Sequence, residues 1–169
     1  MHEKSVDLLN KAVTDELSAV HQYMYFHFHC DDQGYDLLAG LFRRTAIEEM
    51  LHIEQLAERI LFIKGAITLV ASEAVRGITD VAKMLECARG MEEQSARDYN
   101  RWANECSANA DSISKRLFEA LVADEERHFD QYDTEMENMA RFGDQYLALQ
   151  SIERSKTRAA AMPPTGGAG

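Results

Sequence analysis

The chain contains Glu49–His52 (EMLH) and, 76 residues later, Glu125–His128 (EERH). Both stretches are copies of one pattern, a glutamate followed three residues later by a histidine. Three residues are close to one turn of an α-helix, so the two side chains of each copy project from the same helix face. Both can then reach one metal ion, which makes the pair of motifs a candidate metal-binding arrangement.

The same 76-residue offset relates chemically similar residues along most of the chain. The matched positions are Glu16 with Glu92, Tyr23 with Tyr99, Cys30 with Cys106, Glu49 with Glu125 and His52 with His128. Shared apolar spacing is common among helical proteins, whereas shared ionisable side chains at one fixed offset indicate an internal repeat. The chain is therefore predicted to consist of two helical hairpins built on one plan.

Apolar residues recur at spacings of three and four in four long segments, which predicts helices at about residues 3–31, 35–63, 80–107 and 112–140. The connection at residues 66–79 is long for a helix bundle. Fourteen extended residues span about 46–50 Å, while a 28-residue helix is about 42 Å long. The connection can therefore run the length of the bundle and make the second and third helices parallel.

The predicted fold class is all-α, a ferritin-like four-helix bundle with one long crossover between the second and third helices. A short fifth, C-terminal helix is predicted at about residues 144–155. One domain is expected over residues 1–156. Residues 157–169, rich in small residues, proline and glycine, are expected to form a mobile tail.

Each of the four predicted long helices carries one glutamate near the middle of its apolar stripe. These residues are Glu16, Glu49, Glu92 and Glu125. In a bundle they should meet at one level of the core, where burial costs roughly several kcal/mol per charged carboxylate. Two divalent cations would neutralise four carboxylates, so the pattern predicts two metal ions rather than one or none.

The predicted metal ligands, which would also be the catalytic residues, are the four glutamates and two histidines: Glu16, Glu49, His52, Glu92, Glu125 and His128. Glu49 and Glu125 are predicted to bridge the two metals. The other two glutamates would be terminal ligands, and each histidine would bind one metal. Oxygen and imidazole donors suit iron, manganese or zinc, so the ligand types alone do not choose among these metals.

Tyr23 and Tyr99 lie two turns after the glutamates of their own helices. Their hydroxyls could hydrogen-bond ligand carboxylates and orient them, which makes Tyr23 a further candidate site residue, or they could simply pack in the core. Three other glutamates lie about 100° round the helix from a predicted ligand. They are predicted to be flanking or solvated: Glu48, Glu93 and Glu126.

The net charge of −11 argues against nucleic acid and anionic membranes as partners and favours cations. No stretch approaches 18 apolar residues, so no membrane span is predicted. The N-terminal residues lack the basic and apolar segments of a signal peptide. Three cysteines far apart, without a CxxC pair, indicate free thiols and a cytoplasmic location.

At this point the chain resembles bacterioferritin over about residues 4–155. The matching stretches are Asn10–Tyr23 (NKAVTDELSAVHQY), Ile47–His52 (IEEMLH), Arg59–Gly65 (RILFIKG) and Asp124–His128 (DEERH). The resemblance implies a ferroxidase site formed by the six predicted ligands, with two irons per subunit oxidised by dioxygen or hydrogen peroxide. It also implies iron storage inside a homo-oligomeric shell of 24 subunits built from dimers.

Bacterioferritins bind haem b between two subunits through a methionine directly after the second-helix glutamate. Met50 occupies that position, and the resemblance implies that it is an axial haem ligand. It should point about 100° away from the metals, toward a twofold interface. Packing in the interface is the alternative, and departures from the family pattern lie nearby at His21, Met24 and Arg43.

Two other functions remain open from the residues. A rubrerythrin-like peroxidase would use the same bundle, but such proteins usually carry a CxxC pair that is absent here. A cage without catalytic iron turnover, or one that binds haem for electron transfer through Met50, is the non-catalytic alternative.

Overall fold

A computed structural model describes residues 2–161, which fold into five α-helices. They are α1 (Glu3–Asp32), α2 (Asp36–Phe62), α3 (Val81–Ala108), α4 (Ser112–Phe142) and α5 (Asp144–Ala161). No strand occurs between residues 2 and 161. α1 packs along α2 and α3 along α4, forming two hairpins. The four predicted long helices are therefore confirmed.

The crossover between α2 and α3, residues 63–80, runs along α1. Its hydrogen bonds reach one side of α1 at successive turns, at Asn10, Thr14, Ser18 and Gln22. The N–H of Thr68 donates to Asn10 Oδ1 at 2.7 Å, and further on the N–H of Arg76 donates to Gln22 Oε1 at 2.7 Å. Because the crossover follows α1 from its beginning toward its end, α2 and α3 run in the same direction, as predicted.

The start of the crossover lies close against α1. A Cβ atom on Gly65 would lie 2.7 Å from both Cγ atoms of Val6, so the close approach favours glycine here. The left-handed conformation in this turn belongs to Lys64, with φ 64°. Gly65 therefore allows close packing rather than supplying a positive φ.

Two apolar clusters fill the bundle, one toward each end. The first includes Phe26, Phe42 and Tyr132, and the second includes Leu9, Leu56 and Phe118. In each of the four long helices the buried glutamate falls between residues of the two clusters. The acidic level is thus enclosed by apolar packing on both sides.

α5 packs near α2, where Gln150 Oε1 accepts a hydrogen bond from the N–H of Leu38 at 3.3 Å. The helix continues to Ala161, past the predicted end at about residue 155. Alanine is the strongest helix former, so residues 159–161 extend a helix rather than end it. Residues 162–169 of the predicted tail lie outside the described residues. Within residues 2–161, none of the helices combines the length and apolar character that crossing a membrane requires.

Candidate metal centre

The six residues predicted as metal ligands lie together in the core between the four long helices. Their exposed fractions are all 3% or less: Glu16, Glu49, His52, Glu92, Glu125 and His128. α1 and α3 contribute one glutamate each, while α2 and α4 contribute a glutamate and a histidine each. The hairpins therefore bring both copies of the motif to one place.

The potential ligand atoms form two overlapping groups. One contains Glu16, Glu49, His52 and Glu125, and the other contains Glu49, Glu92, Glu125 and His128. Within each group, one oxygen or nitrogen atom per residue lies within 4.8 Å of the others. Each group could hold a metal ion, and the two carboxylates common to both are Glu49 and Glu125. Shared carboxylates of this kind are what a bridged two-metal site needs.

Both histidines turn their Nδ1 atoms toward the carboxylates. His52 Nδ1 lies 2.8 Å from Glu49 Oε2 and 3.2 Å from Glu16 Oε1. His128 Nδ1 lies 3.1 Å from Glu49 Oε1 and 3.7 Å from Glu92 Oε2. Nδ1 is therefore the ring nitrogen available to a metal in each group, which leaves Nε2 for a partner on the outer side.

The outer nitrogens face carboxylates from the opposite hairpin. His128 Nε2 lies 2.7 Å from Glu48 Oε2, and His52 Nε2 lies 3.3 Å from Asp124 Oδ2. A carboxylate in this position fixes the tilt of a metal-binding imidazole and the nitrogen that carries its proton. Glu48 and Asp124 are themselves 76 residues apart, so the repeat extends to this outer pair.

Glu48, expected to be a flanking or solvated residue, also contacts His128. It is turned about 100° round α2 from Glu49, but its side chain reaches across to His128 on α4 and is only partly exposed, at 37%. The 76-residue offset to Asp124 was the sequence signal that could have identified it.

The tyrosines also cross between the hairpins. The Tyr23 hydroxyl donates to Glu92 Oε1 at 2.5 Å, and the Tyr99 hydroxyl donates to Glu16 Oε1 at 2.5 Å. Burial raises the pKa of Tyr23 well above its usual value, and the nearby Glu92 charge adds to the effect. Burial and Glu16 do the same for Tyr99. Both hydroxyls therefore stay protonated and hold the carboxylates of Glu92 and Glu16 in place.

Protons balance much of the negative charge of the carboxylates. Burial and the charge of Glu49 raise the pKa of Glu16 to about 8. Burial and the same charge raise the pKa of Glu125 well above its usual value. These two carboxyls therefore favour the neutral form near neutral pH, because two further charges beside Glu49 would be poorly solvated.

Glu49 and the two histidines form the charged centre of the cluster. Burial alone would raise the pKa of Glu49, but the adjacent His128 and His52 lower it to about 2. Burial opposes protonation of His128, yet contacts with Glu49 and Glu92 raise its pKa to about 11. His52 is shifted upward as well, because contacts with Glu125, Glu16 and Glu49 outweigh its burial.

Met50 lies outside the cluster, as its position after Glu49 requires. Met50 is exposed on α2, and so is Ile47, one turn earlier. His21 and Arg43 are exposed, and Met24 is half-buried. The three cysteines are free thiols, with Cys30 and Cys106 buried.

A family model for the ferritin-like domain matches residues 6–142. A bacterioferritin of Desulfovibrio desulfuricans is 33% identical over 158 residues, which cover 94% of this chain and 88% of the relative. A bacterioferritin of Brucella melitensis is 34% identical over 142 residues, covering 84% of this chain and 88% of that protein.

Solved structures agree with these sequence relatives. A Mycobacterium tuberculosis bacterioferritin matches with a TM-score of 0.83 and 29% identity, covering 88% of this chain and 94% of that one. The D. desulfuricans bacterioferritin, whose structure is described by its diiron site in different catalytic states, matches with a TM-score of 0.86 and 31% identity. That match covers 98% of this chain and 92% of the other. The chain therefore belongs to the bacterioferritin family of ferritin-like proteins.

Proposed function

We propose that this protein stores iron and is a ferroxidase, which oxidises Fe(II) to Fe(III) at the candidate metal centre. The observation that carries the proposal is the pair of overlapping ligand groups sharing Glu49 and Glu125. Bacterioferritin relatives over most of the chain support iron as the metal.

Unsatisfied polar atoms support the presence of metal at this place. Among the described residues, both carboxylate oxygens of Glu49, Glu125 Oε1 and His128 Nδ1 are buried without a hydrogen-bond partner. Although some of them lie at ion-pair distance from one another, they do not form hydrogen bonds of acceptable geometry. Buried polar atoms of this kind are costly, and a cation between them would satisfy them together.

The geometry supports the following proposed residue roles. Glu49 and Glu125 hold two irons side by side. Glu16 and His52 complete the ligand group of one iron, and Glu92 and His128 complete that of the other. Tyr23 keeps one Glu92 oxygen engaged and so limits that carboxylate to a fixed orientation. The apolar clusters on both sides restrict water near the irons.

The oxidation takes one electron from each of the two Fe(II) ions. Dioxygen takes up these two electrons and two protons and becomes hydrogen peroxide, while the two irons become Fe(III). Hydrogen peroxide takes up the two electrons and two protons and becomes two water molecules, while the two irons again become Fe(III). Two irons held together therefore supply the electron pair that either oxidant needs.

A shell of 24 identical subunits, built from dimers in the cytoplasm, completes the proposal and would hold the oxidised iron. Exposed apolar side chains support assembly. Leu61 and Phe62 at the end of α2 are 56% and 74% exposed, and Leu69 and Val70 in the crossover are 63% and 64% exposed. Such residues favour burial between subunits.

Loss of a shared glutamate or of a histidine ligand should abolish rapid iron oxidation. We expect Glu49→Ala and His128→Ala each to slow Fe(III) formation by more than about 100-fold, the upper range for removing only an outer-sphere partner. The measurement is stopped-flow absorbance after mixing the metal-free shell with two Fe(II) per subunit and either oxidant.

Glu126→Ala is the matched control, since Glu126 is exposed and adjacent to Glu125. It should oxidise iron at the wild-type rate. Native mass must show that all variants assemble alike. Wild-type kinetics in Glu49→Ala or in His128→Ala would refute the assignment.

Metal binding should release protons, because four groups of the metal-free centre have raised pKa values. They are Glu16, His52, Glu125 and His128. Ligands must lose these protons to bind a cation, so binding of two divalent ions should release about four protons per subunit. The affinity should consequently weaken as pH falls, since protons then compete more strongly.

Calorimetric titration with Co²⁺ in two buffers of different ionisation enthalpy measures the proton count. His21→Ala, which removes an exposed histidine, should leave the count unchanged, whereas His128→Ala should lower it. Binding without proton release, or with the same affinity across the pH range, would show that the ions bind elsewhere.

We also propose that Met50 is an axial ligand of haem b shared by two subunits. Its partly exposed thioether and the neighbouring Ile47 offer an apolar surface for a porphyrin at an interface. Protein produced with haem should show haem absorption that Met50→Leu removes or shifts, while Met91→Leu on α3 should not change it. Haem bands that are absent, or insensitive to Met50→Leu, would contradict the proposal.

A further inference from the structure

Arg127 lies at the outer edge of the candidate metal centre, one residue before His128. Its Nη2 atom lies 2.6 Å from Glu48 Oε2 and 2.9 Å from Asp124 Oδ1. These are the two carboxylates that face the outer nitrogens of the histidines. One nitrogen of one guanidinium therefore contacts both of them.

Arg127 breaks the internal repeat at this point. The six proposed ligands, the tyrosines and the outer carboxylates occur in matching pairs, but the residue 76 positions before Arg127 is Leu51. Arg127 and Leu51 are both exposed. A single cation on one hairpin thus serves the histidines of both.

The guanidinium keeps two like charges close together. Glu48 and Asp124 come from different hairpins, yet an oxygen of each lies within 2.9 Å of the same Arg127 nitrogen. Without this cation the two carboxylates would repel each other across a short distance. They would then be free to turn into solvent, because both are already partly exposed.

We propose that Arg127 is a positioning residue, which fixes both ligand histidines by holding Glu48 and Asp124 against their outer nitrogens. The inference rests on the proposed two-metal function, because its consequence is that both Nδ1 atoms stay aimed at the metals. The guanidinium of Arg127 stays charged at any pH at which a metal could bind, so it can neutralise both carboxylates throughout that range.

The direction of the effect on metal affinity distinguishes positioning from simple charge. An arginine near a cation site repels incoming cations, so its removal should strengthen metal binding if charge alone matters. If Arg127 positions the histidines, its removal should weaken binding despite the loss of a positive charge.

The test is a calorimetric titration of the metal-free protein with Co²⁺, together with the visible spectrum of the bound ion. We expect Arg127→Leu, which copies the other half of the repeat, to weaken binding about tenfold, the lower end for outer-sphere changes. The Co²⁺ absorption bands should shift as the ligand geometry loosens. Arg127→Lys should restore part of the affinity.

Arg97→Leu is the matched control. Arg97 is exposed and pairs with Glu93 on α3, so its removal also deletes one positive charge and one ion pair. It should leave both affinity and spectrum unchanged. In a Glu48→Gln, Asp124→Asn background, Arg127→Leu should have little further effect, because the carboxylates through which it acts are gone.

The possible results distinguish a failure of the proposed two-metal function from a failure of the positioning role of Arg127. A wild-type protein that fails to bind two Co²⁺ per subunit refutes the proposed function itself. Wild-type binding of two ions, with equal or tighter binding by Arg127→Leu, overturns the positioning role alone. The positioning role is also overturned if Arg127→Leu weakens Co²⁺ binding as much in the Glu48→Gln, Asp124→Asn background as in the wild type. If Arg127→Leu does not assemble, Arg127→Gln provides the same comparison, because it removes the charge but keeps a polar side chain.

Discussion

The burial of four carboxylates at one level of a helical core is the constraint on which this structure depends. Each carboxylate is almost fully desolvated, and each has others as near neighbours: Glu16, Glu49, Glu92 and Glu125. Protons on imidazoles and carboxyls compensate in the absence of metal. The same atoms could hold two divalent cations, which would offset the cost of burying the carboxylates.

The contacts around this centre join the two hairpins to each other. Tyr23 of the first hairpin contacts Glu92 of the second, and Tyr99 of the second contacts Glu16 of the first. The outer carboxylates also reach the other hairpin. Glu48 on α2 faces His128 on α4, and Asp124 on α4 faces His52 on α2. The interactions that orient the ligands are therefore also interactions that hold the hairpins together.

The sequence allowed the four long helices, the crossover and the six central residues to be predicted because all of them follow from periodicity and a fixed offset. Helix periodicity gives the face on which a residue lies, but it does not give the neighbour that a long side chain meets. Glu48 shows this limit, since it leaves α2 at an angle to Glu49 and still reaches α4. Arg127 has no matching residue in the repeat, so the fixed offset gives no signal for it. The run of small residues predicts a tail, whereas α5 extends to Ala161 because alanine favours a helix.

An anomalous-scattering map of crystals loaded with Fe(II) under anaerobic conditions would show directly whether two cations bind among the buried carboxylates. We expect two iron peaks per subunit. One should be bound by Glu16 and His52 and the other by Glu92 and His128, with both contacted by Glu49 and Glu125. A single peak, no peak at this level, or irons bound only outside the bundle would contradict the claim that a pair of cations neutralises the buried carboxylates.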